Sequence, residues 1–470
     1  CKVVAEGGNL GCTQFGRIEF AQKGGRICTD AIDNSAGVDC SDHEVNVKIW
    51  LDTEVNAGTL SEADRNRVLN DITQDIEVLV LRDNTRQTHL LVREEQAQHN
   101  AQVQDDYAAL IASLEEEGVI SRELEQLPSV TELARRKAEG RGLTAPELAV
   151  VIANVKNRYK RIMSALPLLQ HNWSKSILTP YFPQGLVSTR DALAHPLANA
   201  ILATVLANEA VNRCGPLMLT SMAHKHQVPE SDVILAWAQS WAALNLAPLF
   251  ATLDANALEI PCEESKSLDM RTRALEKAVI DGVLSVPAQQ LNAGGGLAEL
   301  MQMFSQPETA RQLMALPAAS KGSAFDDARR SVEAIEGMAD FLFAALTVER
   351  PAGLSLPDFL KTGMGLRRRA GIDGLERTLT QLPITAQQEP LRGHALQSLR
   401  RTQQRLLTQV LQQLPKGAAP AVADGVVDTV IGKLKLNGRA NADSTAASLE
   451  HAVLDVWALS EAAASSSITA

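Results

Sequence analysis

A predominantly α-helical chain with a short α/β element at its N-terminus is predicted by three observations. Aromatic residues make up only 4% of a chain that is 45% hydrophobic, so Leu, Ala, Val and Ile must fill the core, and that composition favours helix packing over sheet packing. Glycine-rich turns following short apolar runs are gathered between Gly7 and Gly37, and glycine then becomes sparse for long stretches. Beyond Thr144 apolar residues recur at three- and four-residue spacing, the mark of a helix with one buried face. At 470 residues the chain is long enough for roughly two to four domains with ample core.

Taken in order, Val3 to Ala5 is an apolar run that ends at Gly7-Gly8-Asn9, as a buried parallel strand ends in a functional turn. Arg17 to Ala21 and Arg26 to Thr29 flank Lys23-Gly24-Gly25, which predicts a small strand-turn-strand element. From about Val45 the chain is predicted to be helical. Ser61 with Asp64, Ser129 with Glu132, and Thr144-Ala145-Pro146-Glu147 are N-terminal capping patterns, and each marks a helix start. Leu148, Val151, Ile152 and Val155 then form an apolar stripe, as do Leu197, Ile201, Leu202, Val205 and Leu206, and Ile234, Trp237, Trp241 and Leu244. Stripes of this kind must be buried on one another. Breaks fall at Gly140-Arg141-Gly142, at Asn292 to Gly296, at Pro351-Ala352-Gly353 and at Pro415 to Pro420, and the Ser/Ala-rich end from Ala462 to Ala470 is expected to fray. No fixed-period repeat is visible, which disfavours a solenoid. The chain opens on Cys1 and a strand-like run, so it is read as the C-terminal piece of a longer polypeptide.

Charge and cysteine usage narrow the partners. With 45 basic and 56 acidic residues the formal charge is -11, and an acidic body repels phosphate backbones, so nucleic acid is not expected. The six cysteines, Cys1, Cys12, Cys28, Cys40, Cys214 and Cys262, include no CxxC pair, a pattern that predicts a reduced, cytoplasmic protein. The most apolar window, Pro196 to Ala210, contains Asn199, Asn208 and Glu209 and is too short to cross a bilayer, so no membrane partner is expected.

Several polar groupings invite a chemical reading. Zinc held by Cys12, Cys28, Cys40 and His43 would require the fold to converge all four, and His224-x-His226 cannot place both rings on one helical face, so no metal is assigned. The acidic residues from Asp33 to Glu44 suggest a calcium loop, but Val38 stands where such a loop needs glycine. Arg367-Arg368-Arg369 and Arg400-Arg401 are read as solvated faces, and Trp237 and Trp241 as core. The turns Glu6-Gly7-Gly8-Asn9-Leu10-Gly11 and Asp30 to Ser41 are more specific. In an open α/β sheet ligands sit beyond the carboxyl ends of the strands, where glycines let the backbone come close to a cofactor.

Together these two turns resemble the amino-acid dehydrogenase superfamily, glutamate dehydrogenases in particular, which carry Glu-Gly-Ala-Asn and then Pro-Asp-x-x-x-Asn-Ala-Gly-Gly-Val-x-x-Ser. Here Gly8 stands for the alanine, and Asp30-x-x-x-Asn34-Ser35-Ala36-Gly37-Val38-x-x-Ser41 follows. The similarity is closest to the large bacterial NAD-specific glutamate dehydrogenases, whose helical segment looks like GLTAPELAVVIANVK, YFPQGL and LATVLANEAVNRCGP of this chain. It runs from about Lys2 to about Val283 and is faint beyond Gly296.

The resemblance implies a remnant of a Rossmann-type dinucleotide-binding domain over residues 1–50, and the glycine breaks at 140–142 and 292–296 divide the helical remainder into a return segment over 51–140 and subdomains over 141–291 and 297–470. It further implies that Asn9 and Asn34 lie beside the nicotinamide end of NAD, with Gly8 allowing close approach, and that Ser41 reaches the side-chain carboxylate of glutamate. A carboxamide offers both donor and acceptor to the nicotinamide carboxamide, and a hydroxyl can donate to a carboxylate. Ser41 also has the Ser-x-x-Glu spacing of a helix N-cap with Glu44.

The implied reaction is reversible oxidative deamination of L-glutamate to 2-oxoglutarate and ammonia by a homo-oligomer. Oxidative deamination needs a polarising lysine and an acid/base carboxylate. Lys2, Lys23 and Lys48 lack the glycine-rich lysine context, Asp30 is read as stabilising its turn, Asp39 is left without a role, and GxGxxG is missing. The segment alone is therefore expected to be inactive, with no catalytic residue assigned and the helices after Thr144 serving assembly or regulation. The competing readings are a helical interaction protein whose turns only mimic a dehydrogenase, and a dehydrogenase of another amino acid.

Overall fold

The computed structural model describes all but residues 9–10, 257–258, 287–295, 307–322, 337, 346–347, 349, 351–352, 383–384, 386–387, 416–419, 434–448 and 466–470. Asn9 therefore lies outside the described residues, as do most of the breaks expected at 292–296 and 415–420 and the last residues of the C-terminal end. The chain divides into two compact units, Cys1–Ala242 and Ala243–Ala470.

In the first unit the segment expected to be strand-turn-strand is instead the helix α1 (Gln14–Gln22). Thr13 caps its start by accepting from the Gly16 N–H, and Lys23-Gly24-Gly25 closes its end rather than turning a hairpin. Gly24 takes φ +86°, the Gly25 N–H donates to the Phe20 carbonyl and the Gly24 N–H to the Ala21 carbonyl, so the three residues form a left-handed helix stop that glycine adopts without strain. Among the described residues the β pairing is a single parallel bridge between Val3 and Arg26, held by Val4 N–H to Arg26 O at 2.9 Å and Arg26 N–H to Lys2 O at 2.8 Å.

The short helix α2 (Asp30–Asp33) leads through Asn34 into α3 (Ser35–Asn56), so helix begins well before Val45. Ser41 lies inside α3 and does not cap it, because the chain has already turned helical at Ser35. α3 packs on α4 (Glu62–Asp71) and α5 (Thr73–Ala97). After α6 (Ala101–Glu116) and α7 (Val130–Ala138) comes α8 (Ala145–Ser164), whose main partner is the helix Ala198–Cys214, with further packing on α1 and α5.

The capping patterns are present as expected. Ser61 accepts from Asp64 N–H, Ser129 from Glu132 N–H, and Thr144 with Glu147 forms a reciprocal capping box with Pro146 in the first turn. The stripe Leu148, Val151, Ile152, Val155 is buried, and so is the pair Trp237 and Trp241, whose ring centroids are 5.1 Å apart.

The second unit is likewise helical. The helix Glu389–Gln413 packs on Leu449–Ser465, Ile372–Gln381 and Pro420–Lys433, and Cys262–Leu284 packs on Ala324–Glu336 and Ala339–Ala345. Arg367 corrects the expectation of a solvated arginine run. It is 3% exposed, donates to Asp373 at 2.6 Å, to Glu376, and to Gln403 at 3.0 Å, and stands over the Phe341 ring. A buried guanidinium needs such partners, and two carboxylates and an amide supply them. Arg368 and Arg369 are exposed as expected. Among the described residues no single helix is long and apolar enough to cross a membrane.

Candidate functional site

Two extended segments, linked by α1, run parallel through the Val3–Arg26 bridge, the first continuing into the Gly7-Gly8 bend and the second into α2 and the Asn34 junction with α3. Arg17 of α1 joins those turns. It is 1% exposed and donates to Glu6 Oε2 at 2.5 Å and to the Cys28 carbonyl at 2.7 Å, with Asp30 Oδ1 at 3.7 Å. The Glu6 carboxylate also accepts from the Gly11 N–H, and the Glu6 N–H donates to Asp33 Oδ2 at 3.3 Å. The Glu6–Gly8 turn and the Asp30–Asn34 turn are thus neighbours fixed by a buried cation. A side chain built at Gly7 or Gly8 would meet no atom within 4 Å, so the glycines leave the face of their turn open.

Burial governs the titratable groups between the turns. It raises the Asp33 carboxyl and pushes the Cys28 thiol up to about 11, with Asp33 and Glu95 adding to the push on the thiol. A thiol held protonated at pH 8 is a poor nucleophile. Iodoacetamide at pH 8 is expected to label exposed Cys1 and Cys40 and to leave Cys28 largely unmodified. Peptide mass spectrometry would show it, and equal labelling of Cys28 and Cys40 would contradict the half-buried setting of Cys28.

Asn34 is half-buried and immediately precedes α3. Its backbone N–H closes α2 on the Asp30 carbonyl at 2.8 Å. Its Oδ1 lies 3.0 Å from where a Gly37 Cβ would be, so the missing side chain at Gly37 lets the carboxamide lie across the first turn of the helix. Asn34, Val38 and Ser41 share one face by helical spacing, and Val38 and Ser41 are exposed. Asn34 and Ser41 are about 10 Å apart along the axis at 1.5 Å per residue. The first turn of α3 also presents backbone N–H groups, which favour a negative group.

The opposite face of α3 is anchored. Asn84 of α5 donates to Ser35 Oγ at 2.6 Å and to the Ile32 carbonyl at 3.1 Å. Asn46 donates to Tyr181 Oη at 2.7 Å, Tyr181 donates to Asp42 at 3.0 Å, and His195 Nε2 meets the Asn46 carbonyl at 2.8 Å. His43 is gathered with Asp39 and Asp83, not with the cysteines. The i,i+4 spacing of Asp39 and His43 is a readable signal, whereas nothing local points to Asp83, which arrives from another helix. Burial lifts the Asp39 carboxyl to about 6 against the pull of His43. For Asp83 burial acts in the same direction but is overcome by the His43, Arg82 and Arg86 interactions, which hold it at about 2.

The described part of the chain thus joins a short N-terminal element, held by one parallel bridge and the Arg17 tie, to a long series of helices. It belongs to the NAD-dependent glutamate dehydrogenase family: residues 140–428 match the family described as glutamate dehydrogenase, C-terminal, and residues 1–94 match the bacterial NAD-glutamate dehydrogenase catalytic domain. The NAD-specific glutamate dehydrogenase of Mycobacterium tuberculosis is 39% identical over 279 residues, 59% of this chain and 17% of that protein. The corresponding protein of Halomonas elongata is 38% identical over 57% of this chain and 17% of its own length, and that of Pseudomonas aeruginosa 36% over 56% and 16%. The matched part thus spans about one sixth of each curated relative.

Proposed function

We propose that this chain supplies part of the NAD and substrate cleft of an NAD-dependent glutamate dehydrogenase, together with a helical region for homo-oligomeric assembly or regulation, in the cytoplasm. The reaction would be reversible oxidative deamination of L-glutamate to 2-oxoglutarate and ammonia. One observation carries the reading: Arg17 and the Glu6–Asp33 hydrogen bond hold the two turns side by side. NAD, when bound, takes the hydride that leaves the substrate's α-carbon.

The residues available suit that cofactor. Gly7 and Gly8 leave their turn open, and the Asn34 carboxamide lies at the start of α3. In this reading Asn34, with Asn9, orients the nicotinamide carboxamide and so selects the face presented to the substrate. Ser41, exposed two turns further along α3, donates to the side-chain carboxylate of glutamate. The polarising lysine, the acid/base carboxylate and the dinucleotide fingerprint are assigned to no residue of this chain, so the segment by itself should produce no NADH.

A chimera in which this chain replaces the matching part of the Mycobacterium tuberculosis relative tests the proposal. It should form NADH from glutamate. Asn34→Ala should raise its KM for NAD about tenfold, as expected for roughly 1–1.5 kcal/mol of lost hydrogen bonding. Ser41→Ala should raise the KM for glutamate and leave that for NAD unchanged. An unaltered KM for NAD in the Asn34 variant, or a preference of the chimera for leucine or phenylalanine, would refute the assignments.

A further inference from the structure

His43 is 1% exposed, lies 4.5 Å from the Tyr181 ring centroid, and has no hydrogen-bond partner at either ring nitrogen. A buried imidazole left in that condition is costly unless something else engages it. Its Nε2 points between two carboxylates, 3.8 Å from Asp39 Oδ1 and 3.7 Å from Asp83 Oδ2. These separations are too long for hydrogen bonds. They are close to the spacing of donor atoms around a single ion, since bonds of about 2.0–2.2 Å at a tetrahedral angle put neighbouring donors about 3.4 Å apart.

We propose that Asp39 and His43 of α3 and Asp83 of α5 form a site for one divalent transition-metal ion of the zinc class. Asp39 and His43 are an i,i+4 pair, so one helix presents both donors on one face. The third donor comes from the packed neighbour, and the ion would bond the two helices together. One imidazole and two carboxylates make a three-ligand set with room for water in the fourth position.

The surroundings fit ligand roles. Asp83 uses its other oxygen, Oδ1, to accept from Arg82 Nε at 2.8 Å, with Arg86 at 4.0 Å, so Oδ2 is left to face His43 in a fixed orientation. Arg86 is itself satisfied by Glu209 at 2.6 Å. Asp39 Oδ2 is buried without a hydrogen bond, a second uncommitted oxygen at the same place. Outer partners that orient a ligating carboxylate are a regular feature of metal sites. Both carboxylate side chains are about a quarter exposed, which gives an ion a way in from solvent. The site lies on the face of α3 opposite Ser41, so it would fix the helix without touching the proposed substrate residue, and it does not depend on the dehydrogenase reading.

The test is calorimetric titration of the chelator-treated 470-residue chain with Zn²⁺, joined to absorption spectra with Co²⁺. The expected result is one ion per chain, visible Co²⁺ bands with no thiolate charge-transfer band, and at least tenfold weaker binding in both Asp39→Asn and His43→Gln. Far-UV circular dichroism checks that the variants are folded, and should His43→Gln fail that check, the isosteric Asp39→Asn decides alone. No stoichiometric uptake, uptake unchanged in the folded variants, or a thiolate band would each overturn the proposal.

Discussion

Replacing Arg136 by methionine is expected to destabilise the first unit by about 3–5 kcal/mol, the usual cost of leaving a buried charge without its partner. Glu147 is fully buried, and Arg136, itself 5% exposed, donates from one terminal nitrogen to both of its oxygens at 2.9 Å. The same carboxylate accepts from the Thr144 N–H at 2.8 Å and the Thr144 hydroxyl at 2.7 Å, so it caps α8 while neutralising α7. Hydrogen exchange of α8 amides that open with the unit should accelerate by two orders of magnitude or more, at about tenfold per 1.4 kcal/mol. Arg136→Met combined with Glu147→Gln should recover part of the loss, because glutamine keeps the capping box and removes the charge. An exchange rate unaltered in the single variant would refute this account of the α7–α8 junction.

Arg17→Met carries the second large effect, again about 3–5 kcal/mol but confined to the N-terminal element. The guanidinium is the buried link among Glu6, the Cys28 carbonyl and Asp30, and without it the Glu6 carboxylate keeps, among the described residues, the Gly11 N–H. Exchange should rise over residues 2–8 and 26–34 and stay unchanged in the helix Ala198–Cys214. In the chimera the same substitution should raise the KM for NAD at least as much as Asn34→Ala does. Local loosening without any effect on NAD would separate the structural tie from the cofactor.

What the sequence disclosed depended on how local each cause was. The caps at Ser61, Ser129 and Thr144 were legible because donor and acceptor lie three residues apart, and the α8 stripe because one face repeats along a single helix. The strand expectation for Arg17 to Ala21 rests on its place beside Lys23-Gly24-Gly25, and a glycine pair ends a helix as readily as it turns a hairpin. Tertiary contacts fix the outcome, since Arg17 points inward to Glu6, the Cys28 carbonyl and Asp30. Ser41 carried a valid cap spacing, but α3 had already begun at Ser35, where Asn84 supports its first turn from a helix nearly fifty residues later. Arg367 shows the same limit, because its burial depends on Asp373, Glu376 and Gln403. Of the candidate site, the two turns were visible as motifs, while the Arg17 tie and the Asp39–His43–Asp83 grouping required the fold.

The central claim is that the Glu6–Gly8 and Asp30–Asn34 turns form one wall around the nicotinamide ring. A crystal structure of the active chimera with NAD bound measures it most directly. The account predicts the nicotinamide carboxamide within about 3.5 Å of the side-chain amides of both Asn9 and Asn34, with Arg17 still bonded to Glu6. A nicotinamide bound away from both asparagines would contradict it.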